Sequence, residues 1–475
     1  MRRLTLAIRN SSNDAPHLLK GIGLLAAMAL IVTNAVGTGV FLKARVMICN
    51  VGTPEMVLLA YAVAGLYVLA GALIYAELST LMPRSGGAYN YIGAAYGRLW
   101  AFLYGWMETF IEGAAGMAAL AIVFVIFFNN LLGDTLSSGA STLLVLATLV
   151  FVTALNLASV RVNKSLATVV TGLKVALLIG IAGCAFFFGD GSWANYALSG
   201  ADGTCEGVPA DARMGLAGFG AAIIAALWSY SGAMTIIVIA EEVRDPARTL
   251  PRALFSSALT LIGLYLLVNA AYFYALSPDT VASISESSSV AGTVIARVVG
   301  AGASTLMAAG LMVSSFGALH CTVLEMARFP FAMARDRLLP ALFATVSRNS
   351  HVPTHAVLLL GVCAIAFAIS GTFDVLTDMI IFSVLIFDFM AVTAVFILRK
   401  RAPAMPRPYR TWGYPFLPVV YLLATAWLTL NTLLTMPGRS LAGLGLIALG
   451  LPVYAYYARG RPPSRLEDWL DNDET

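Results

Sequence analysis

Residues 34 to 41 read NAVGTGVF, two glycines, an asparagine and a threonine inside a stretch, 21 to 47, that is otherwise apolar enough to cross a bilayer. Glycine costs a helix interior about 1 kcal/mol relative to alanine, and a Gly-x-Gly pair invites the backbone to leave helical geometry. In lipid such a break would strand N–H and C=O groups. It survives only where it faces protein or a water-filled cavity, and there the freed groups can bind a ligand. The stretch therefore reads as a broken membrane helix.

The rest of the chain fits that reading. Its 475 residues are 59% hydrophobic and 11% charged, too apolar for a soluble globular protein of this size. Apolar stretches of about 20 residues, long enough to cross about 30 Å of hydrocarbon, recur throughout. They fall at 21–47, 55–81, 98–131, 141–159, 165–188, 215–240, 251–276, 300–330, 354–371, 375–399, 414–435 and 440–458. The expected fold is an all-α integral membrane protein of twelve transmembrane helices, since a β-barrel would show short alternating strands. The expected layout is an N-terminal segment 1–20, a twelve-helix domain 21–459 and a tail 460–475.

Basic residues mark the cytoplasmic loops. With an even number of spans both termini share one side, and nearly all of the 29 Lys and Arg fall there. Only Lys43, Arg45, Arg213, Arg297 and Arg439 fall on the other, and Lys174 lies within a span. Both termini are therefore expected in the cytoplasm, with the protein in the plasma (inner) membrane. The net charge of +4 reports this topology and not a nucleic-acid partner. The first apolar stretch is too long for a signal-peptide core, so no cleavage is expected. No soluble domain and no GxxxxGK[ST] phosphate loop is found, which argues against transport driven by the chain's own ATP hydrolysis. Cys49 and Cys205 are both expected outside, where they could pair or stay free; Cys184, Cys321 and Cys363 fall within spans.

A second interruption stands in the sixth span, LWSYSGAMTIIVIAEEVRDPARTLPRA (227 to 253), at Ser229, Tyr230, Ser231 and Gly232. In either helix alone such small residues read equally as close packing or as a site. Paired interruptions in corresponding spans of two five-helix halves, however, mark a midplane binding site in secondary transporters. A half-helix starting after Gly37 points free N–H groups and its positive dipole end at an anion, ideally a carboxylate. Carbonyls near Ala35, Trp228 and Ser231 suit an ammonium, so a zwitterion satisfies both.

Four motifs in order carry a resemblance to a known family: GTGVF (37–41), MPRSGGAYNYIGAAYG (82–97), YSGA followed by EEVRDPARTLPRA (241–253), and the pair RFPFAMARDRLLP (328–340) and RKRAPAMPRPYRTWGYPFLP (399–418). Over residues 20 to 460 the chain resembles the amino acid, polyamine and organocation transporter superfamily, and within it the L-type amino-acid transporter-like permeases. The resemblance implies a leucine-transporter-type fold, a 5+5 inverted repeat plus two extra helices, with helices 1 and 6 broken, working by alternating access. It places Gly37, Thr38 and Gly39 at the substrate carboxylate and Ala35, Trp228 and Ser231 near the amine. Val36, Ser229, Tyr230, Gly232 and Ala233 complete the substrate-binding stretches, with the Trp228 ring as a candidate gate. L-type members often carry an aromatic and a polar residue where Ala233 and Met234 stand, which leaves side-chain selectivity open.

The buried charges divide the mechanisms. Lys174, about ten residues from either expected end of its span, would be costly unless paired. The resemblance makes it a fixed substitute for a bound sodium ion, bridging the fifth helix to the broken first; a depressed pKa would instead let it exchange a proton. Glu108 and Glu112 lie four apart on one helix face; Glu112 either carries a proton or attracts a cation in the cavity, or pairs with another helix. His320 is either a proton relay or a satisfied interhelical partner. Glu325 is expected to meet loop arginines, Glu241 and Glu242 to join Arg244 and Arg248 in a charge network at the cytoplasmic end, and Asp388 is an intramembrane acid without an assigned role.

The leading expectation is a sodium-independent amino-acid permease, exchanging or co-transporting with protons. The alternatives are a polyamine or cationic amino-acid carrier or antiporter, with Glu112 and Asp388 as counter-charges, and a non-transporting nutrient receptor. No metal cluster or nucleophile triad suggests an enzyme, and no cofactor is expected. The implied partners are the small-molecule substrate, an amino acid or polyamine, and the lipid bilayer. The heteromeric relatives attach a heavy subunit through a cysteine in the loop after the third helix; LLGDTLSSGA has none, so no disulfide-linked heavy subunit is expected.

Overall fold

The computed structural model describes residues 21–133, 135–157, 160–200, 203–285, 288–347, 350, 352–370 and 373–459. The terminal segments 1–20 and 460–475 lie outside the described residues, as do the side chains of Arg161, Lys164 and Arg348. The first apolar stretch is two helices, α1 (Leu24–Ala35) and α2 (Gly39–Val51), separated by residues 36–38 and bent by 46°. Proline opens α3 (Pro54–Leu81), where a missing N–H leaves no helical bond unmade. The glycine-rich motif 82–97, too short to read as a span, folds its second half into α4 (Ala88–Tyr96).

The third span is α5 (Arg98–Met107) and α6 (Ala114–Leu131) joined without a break by one wide, π-helical turn, Glu108–Gly113. Two long helices follow, α7 (Ser138–Asn156) and α8 (Val160–Phe188). The sixth span stops as α9 (Gly215–Tyr230) and resumes after 231–234 as the single turn α10 (Thr235–Val238). Beyond it lie α11 (Pro246–Ala275), the short α12 (Pro278–Ala282) and α13 (Val290–Val299), then α14 (Ala301–Met326) and α15 (Arg328–Arg335). The chain ends in α16 (Thr354–Ser370), α17 (Phe373–Arg401), α18 (Phe416–Thr435), α19 (Pro437–Ala448) and α20 (Gly450–Ala458).

Every expected span thus contains helix. Among the described residues eight helical runs are singly long and apolar enough to cross a bilayer, and the bent α1–α2 pair makes a ninth. The runs Gly172–Phe188, Gly215–Tyr230 and Thr354–Ser370 are apolar but shorter, the second because the chain breaks at Ser231. No strand occurs among the described residues beyond one isolated bridge, Ile22 to Val243. The protein is a helical, multi-pass membrane protein.

Helix α11 packs along α3 and α1, α9 along α2, and α14 along α6. At one end of the bundle Cys49, in the last turn of α2, is disulfide-bonded to Cys205. The same helix end is tied to the loop before α9 by Asn50, whose amide donates to the Ala212 carbonyl at 2.5 Å while its own carbonyl accepts from the Met214 N–H at 2.7 Å. At the opposite end, buried Glu77 of α3 accepts two hydrogen bonds from Arg399, at 2.8 and 2.6 Å, and one from the Thr411 N–H at 2.7 Å. That clamp is the structural work of the 399–418 motif.

The charge network expected around Glu241 and Glu242 exists, with different partners. Glu242 pairs with Arg328 at 2.8 Å and Glu241 approaches Arg335 at 3.9 Å, because the start of α14's continuation, α15, is delivered beneath the sixth span. Arg248 stays in solvent beside Asp245. Nearby, burial pushes the Asp336 carboxyl above its usual value, a shift opposed by the Tyr89 hydroxyl at 2.7 Å and by Arg98.

Candidate functional site

The two breaks abut. A Cβ on Gly39 would lie 2.6 Å from the Ser229 Cα, so α2 and α9 approach as closely as only glycine permits. Gly232, in the left-handed region at φ +87°, would place a Cβ 2.9 Å from the Asn34 side chain. Each break thus uses a glycine to reach the other.

Between the breaks the backbone is only partly self-satisfied. Val36 N–H still reaches Val32 O at 2.8 Å and Gly37 N–H folds back on Ala35 O at 2.7 Å. The first N–H groups of a helix have no partner within it, and Thr38 supplies no side-chain cap to α2, whose first turn carries no acidic residue. Carbonyls at the break are engaged from behind. The Tyr265 hydroxyl of α11, fully buried, lies 2.9 Å from Ala35 O and 2.7 Å from Ser229 O and shares its proton between them. Tyr61 of α3 meets the Ser229 hydroxyl at 3.3 Å, and Tyr230 donates to Tyr61 O at 3.1 Å.

In front of the breaks opens a cavity of about 490 Å³, its open mouth included. Ala35, Gly37, Thr38, Trp228, Ser231 and Gly232 line it, joined by Asn34, Glu112 and Glu325. The Trp228 ring N–H points to the Thr38 hydroxyl at 3.4 Å, and its ring stands edge-on to Phe373 at 5.9 Å. Tyr230 and Ala233 line a second, larger cavity of about 870 Å³ that shares Glu112, Ser231, Gly232, Glu325 and Met326 with the first. Ser229 turns to Tyr61, Val36 and Gly39 serve the turn and the helix contact, and none of the three lines either cavity.

Lys174, 1% exposed, stands behind the break and donates to the Thr33 carbonyl of α1 at 2.7 Å. This carbonyl belongs to the last full turn of α1, so the ammonium ties α8 to the broken helix. His320 lines neither cavity; its Nδ1 lies 3.0 Å from the Asn156 amide of α7, an interhelical contact. Glu325 accepts from the Asn34 amide, a partner the sequence did not suggest, since α14 passes directly beside the end of α1. Asp388 accepts from Tyr75 at 2.6 Å and Tyr421 at 3.0 Å and lines the second cavity.

Sequence reasoning missed Tyr265, Tyr61 and the Asn34–Glu325 contact. A tyrosine in mid-helix of an apolar run needs a partner for its hydroxyl, and that requirement was the available signal for Tyr265. Nothing in one sequence pairs residues 291 positions apart.

A membrane bundle with two mutually facing helix breaks around a small cavity defines a permease. The chain belongs to the amino acid permease family, whose profile matches residues 22–444. It is 32% identical over 444 residues to the serine/threonine exchanger SteT of Bacillus subtilis, covering 92% of this chain and 96% of that one. It is 28% identical to the large neutral amino acids transporter small subunit 2 of Homo sapiens (94% and 81% covered) and 27% identical to the b(0,+)-type amino acid transporter 1 of Mus musculus (88% and 84%). Its relatives are transporters, not enzymes.

Proposed function

We propose that the chain is a sodium-independent secondary transporter of amino acids that works by alternating access, as an exchanger or a proton-coupled symporter. The observation that carries this is the meeting of the two breaks, Gly39 against Ser229 and Gly232 against Asn34, at the wall of the cavity. The uncapped start of α2 suits the substrate carboxylate, and the Ala35, Trp228 and Ser231 backbone the amine. Gly37 and Thr38 form one half of this substrate-binding cradle and Ser231 and Gly232 the other; Val36, Gly39 and Ser229 hold its backbone in shape, and Tyr230 and Ala233 face the adjoining cavity. Serine/threonine exchange by SteT supports a zwitterion as cargo.

Lys174 fits the part of a fixed cation in place of sodium, since its ammonium holds a carbonyl of the broken helix. The three shorter apolar runs complete twelve spans, and α1 to α8 with α9 to α17 supply the two inverted halves. The cytoplasmic placement of both termini and residence in the plasma membrane rest on the distribution of Lys and Arg; a Cys49–Cys205 bond agrees, because disulfides persist on the outer face. With these two cysteines bonded to each other, we expect no disulfide-linked heavy subunit.

The test is uptake of labelled amino acids into liposomes holding the purified protein, with and without internal substrate, sodium and an inward proton gradient. Uptake that needs internal substrate and ignores both gradients identifies an exchanger; uptake driven by protons identifies a symporter. Uptake that requires sodium would overturn the reading of Lys174.

A further inference from the structure

The second cavity has a composition that the zwitterion cradle does not explain. Its wall carries four carboxyl groups, Glu108, Glu112, Glu325 and Asp388, and five tyrosines, and among the described residues not one lysine, arginine or histidine. Two of the acids are held by neighbours: Asp388 by the hydroxyls of Tyr75 and Tyr421, and Glu325 by Asn34. Glu108 is 5% exposed and faces the cavity; Tyr104, Glu112 and Glu325 are the groups that bear on it, and no ion pair reaches it among the described residues. Carboxyl groups in a membrane interior are costly without compensating charge. None of the cavity's own side chains provides it.

The aromatic wall supplies the rest. Tyr67 stacks on Tyr421 with ring centroids 4.2 Å apart, and Tyr104 meets Phe329 edge-on at 5.8 Å. Ring faces beside acids form the chemistry that receives an organic ammonium or guanidinium group. The cavity opens off the substrate cavity across Glu112, Ser231 and Gly232, so a side chain rising from a bound amino acid enters it directly.

We propose that the second cavity receives the positively charged end of the substrate side chain, so that the preferred cargo is an amino acid with a basic side chain. This rests on the reading that the two breaks hold the α-amine and α-carboxylate. The wide turn at Glu108–Gly113 places Glu108 and Glu112 on the cavity side together, and Glu108 is the residue that sets the preference.

The experiment uses the full-length protein in liposomes and compares uptake of L-lysine, Nε-acetyl-L-lysine and L-serine. Loss of the side-chain charge should weaken uptake by about tenfold or more, the range of a hydrogen bond to a charged group. Glu108→Gln should shrink the lysine-to-serine ratio of kcat/KM by a similar factor, and exposed Asp245→Asn should retain the wild-type ratio. Should Glu108→Gln not fold, the lysine and acetyl-lysine comparison on the wild type decides alone. Uptake of serine with lysine and acetyl-lysine equally poor overturns the proposal and leaves the transporter standing. Serine uptake accelerated by a proton gradient, without preference for lysine, also overturns it and makes these acids proton carriers. No uptake of any of the three by well-folded protein overturns both readings.

Discussion

Lys43 of α2 and Asp374 of α17 form a buried ion pair at 2.5 Å, and Arg45 reaches the other oxygen of the same carboxylate at 3.4 Å. Lys43 also donates to Thr377 at 3.1 Å and lies 5.0 Å from the centre of the Phe373 ring that Trp228 touches. The segment after the first break is therefore anchored to the start of α17. Because one carboxylate serves two cations, Asp374→Asn should destabilise the protein more than Lys43→Met, by about 3 kcal/mol against less. Thermal unfolding of the two purified variants tests the order, and the reverse order would show that Lys43 is held by more than this carboxylate.

The shared proton of Tyr265 predicts a loss on two helices from one atom. Tyr265→Phe leaves the Ser229 carbonyl without this donor and the Ala35 carbonyl with the Gly37 N–H alone, a cost of about 1–3 kcal/mol. Uptake should fall roughly in proportion, about tenfold, with KM raised more than kcat is lowered. Equal uptake by the variant would show that the hydroxyl only fills space.

Gly37 and Gly39 should respond differently to alanine. At Gly39 the new methyl meets the Ser229 backbone at 2.6 Å and must force α2 from α9, an overpacking cost of about 1–3 kcal/mol. At Gly37 the nearest atom is 3.8 Å away, so Gly37→Ala should fold normally yet lose uptake by intruding on the cavity. Size-exclusion profiles and melting temperatures separate the two; a stable Gly39→Ala would refute the close contact.

Lys174→Ala should abolish uptake, since the Thr33 carbonyl then faces a buried gap. Wild-type uptake should be equal in sodium and in choline. If sodium restores the alanine variant, the ammonium and the ion are interchangeable at that carbonyl, and Lys174 is a fixed charge.

Reduction of the Cys49–Cys205 bond should expose thiols to a membrane-impermeant maleimide from the outside of intact cells. Labelling only after lysis would invert the orientation read from the basic residues.

Much of this was legible in the chain. NAVGTGVF announced its own break, because two glycines and an asparagine are costly in a lipid-facing helix, and Lys174 announced a partner because an ammonium at that depth needs one. What escaped is what the period of one helix cannot encode. Tyr265 lies among leucines in a 30-residue helix, and the partners of its hydroxyl sit on two other helices that its own helix does not reveal. The Asn34 contact of Glu325 comes from the path of α14 past the end of α1, which one sequence does not show. Glu242 found Arg328 and not the nearer Arg248 for the same reason: proximity in sequence ends where helices turn over.

The wide turn at Glu108–Gly113 leaves α5 and α6 out of phase with each other by one residue. An insertion or deletion there would turn every side chain on one side of it by about 100° about the helix axis. A single codon gained or lost at this turn would therefore re-aim half of a helix at once, where a point substitution changes one side chain.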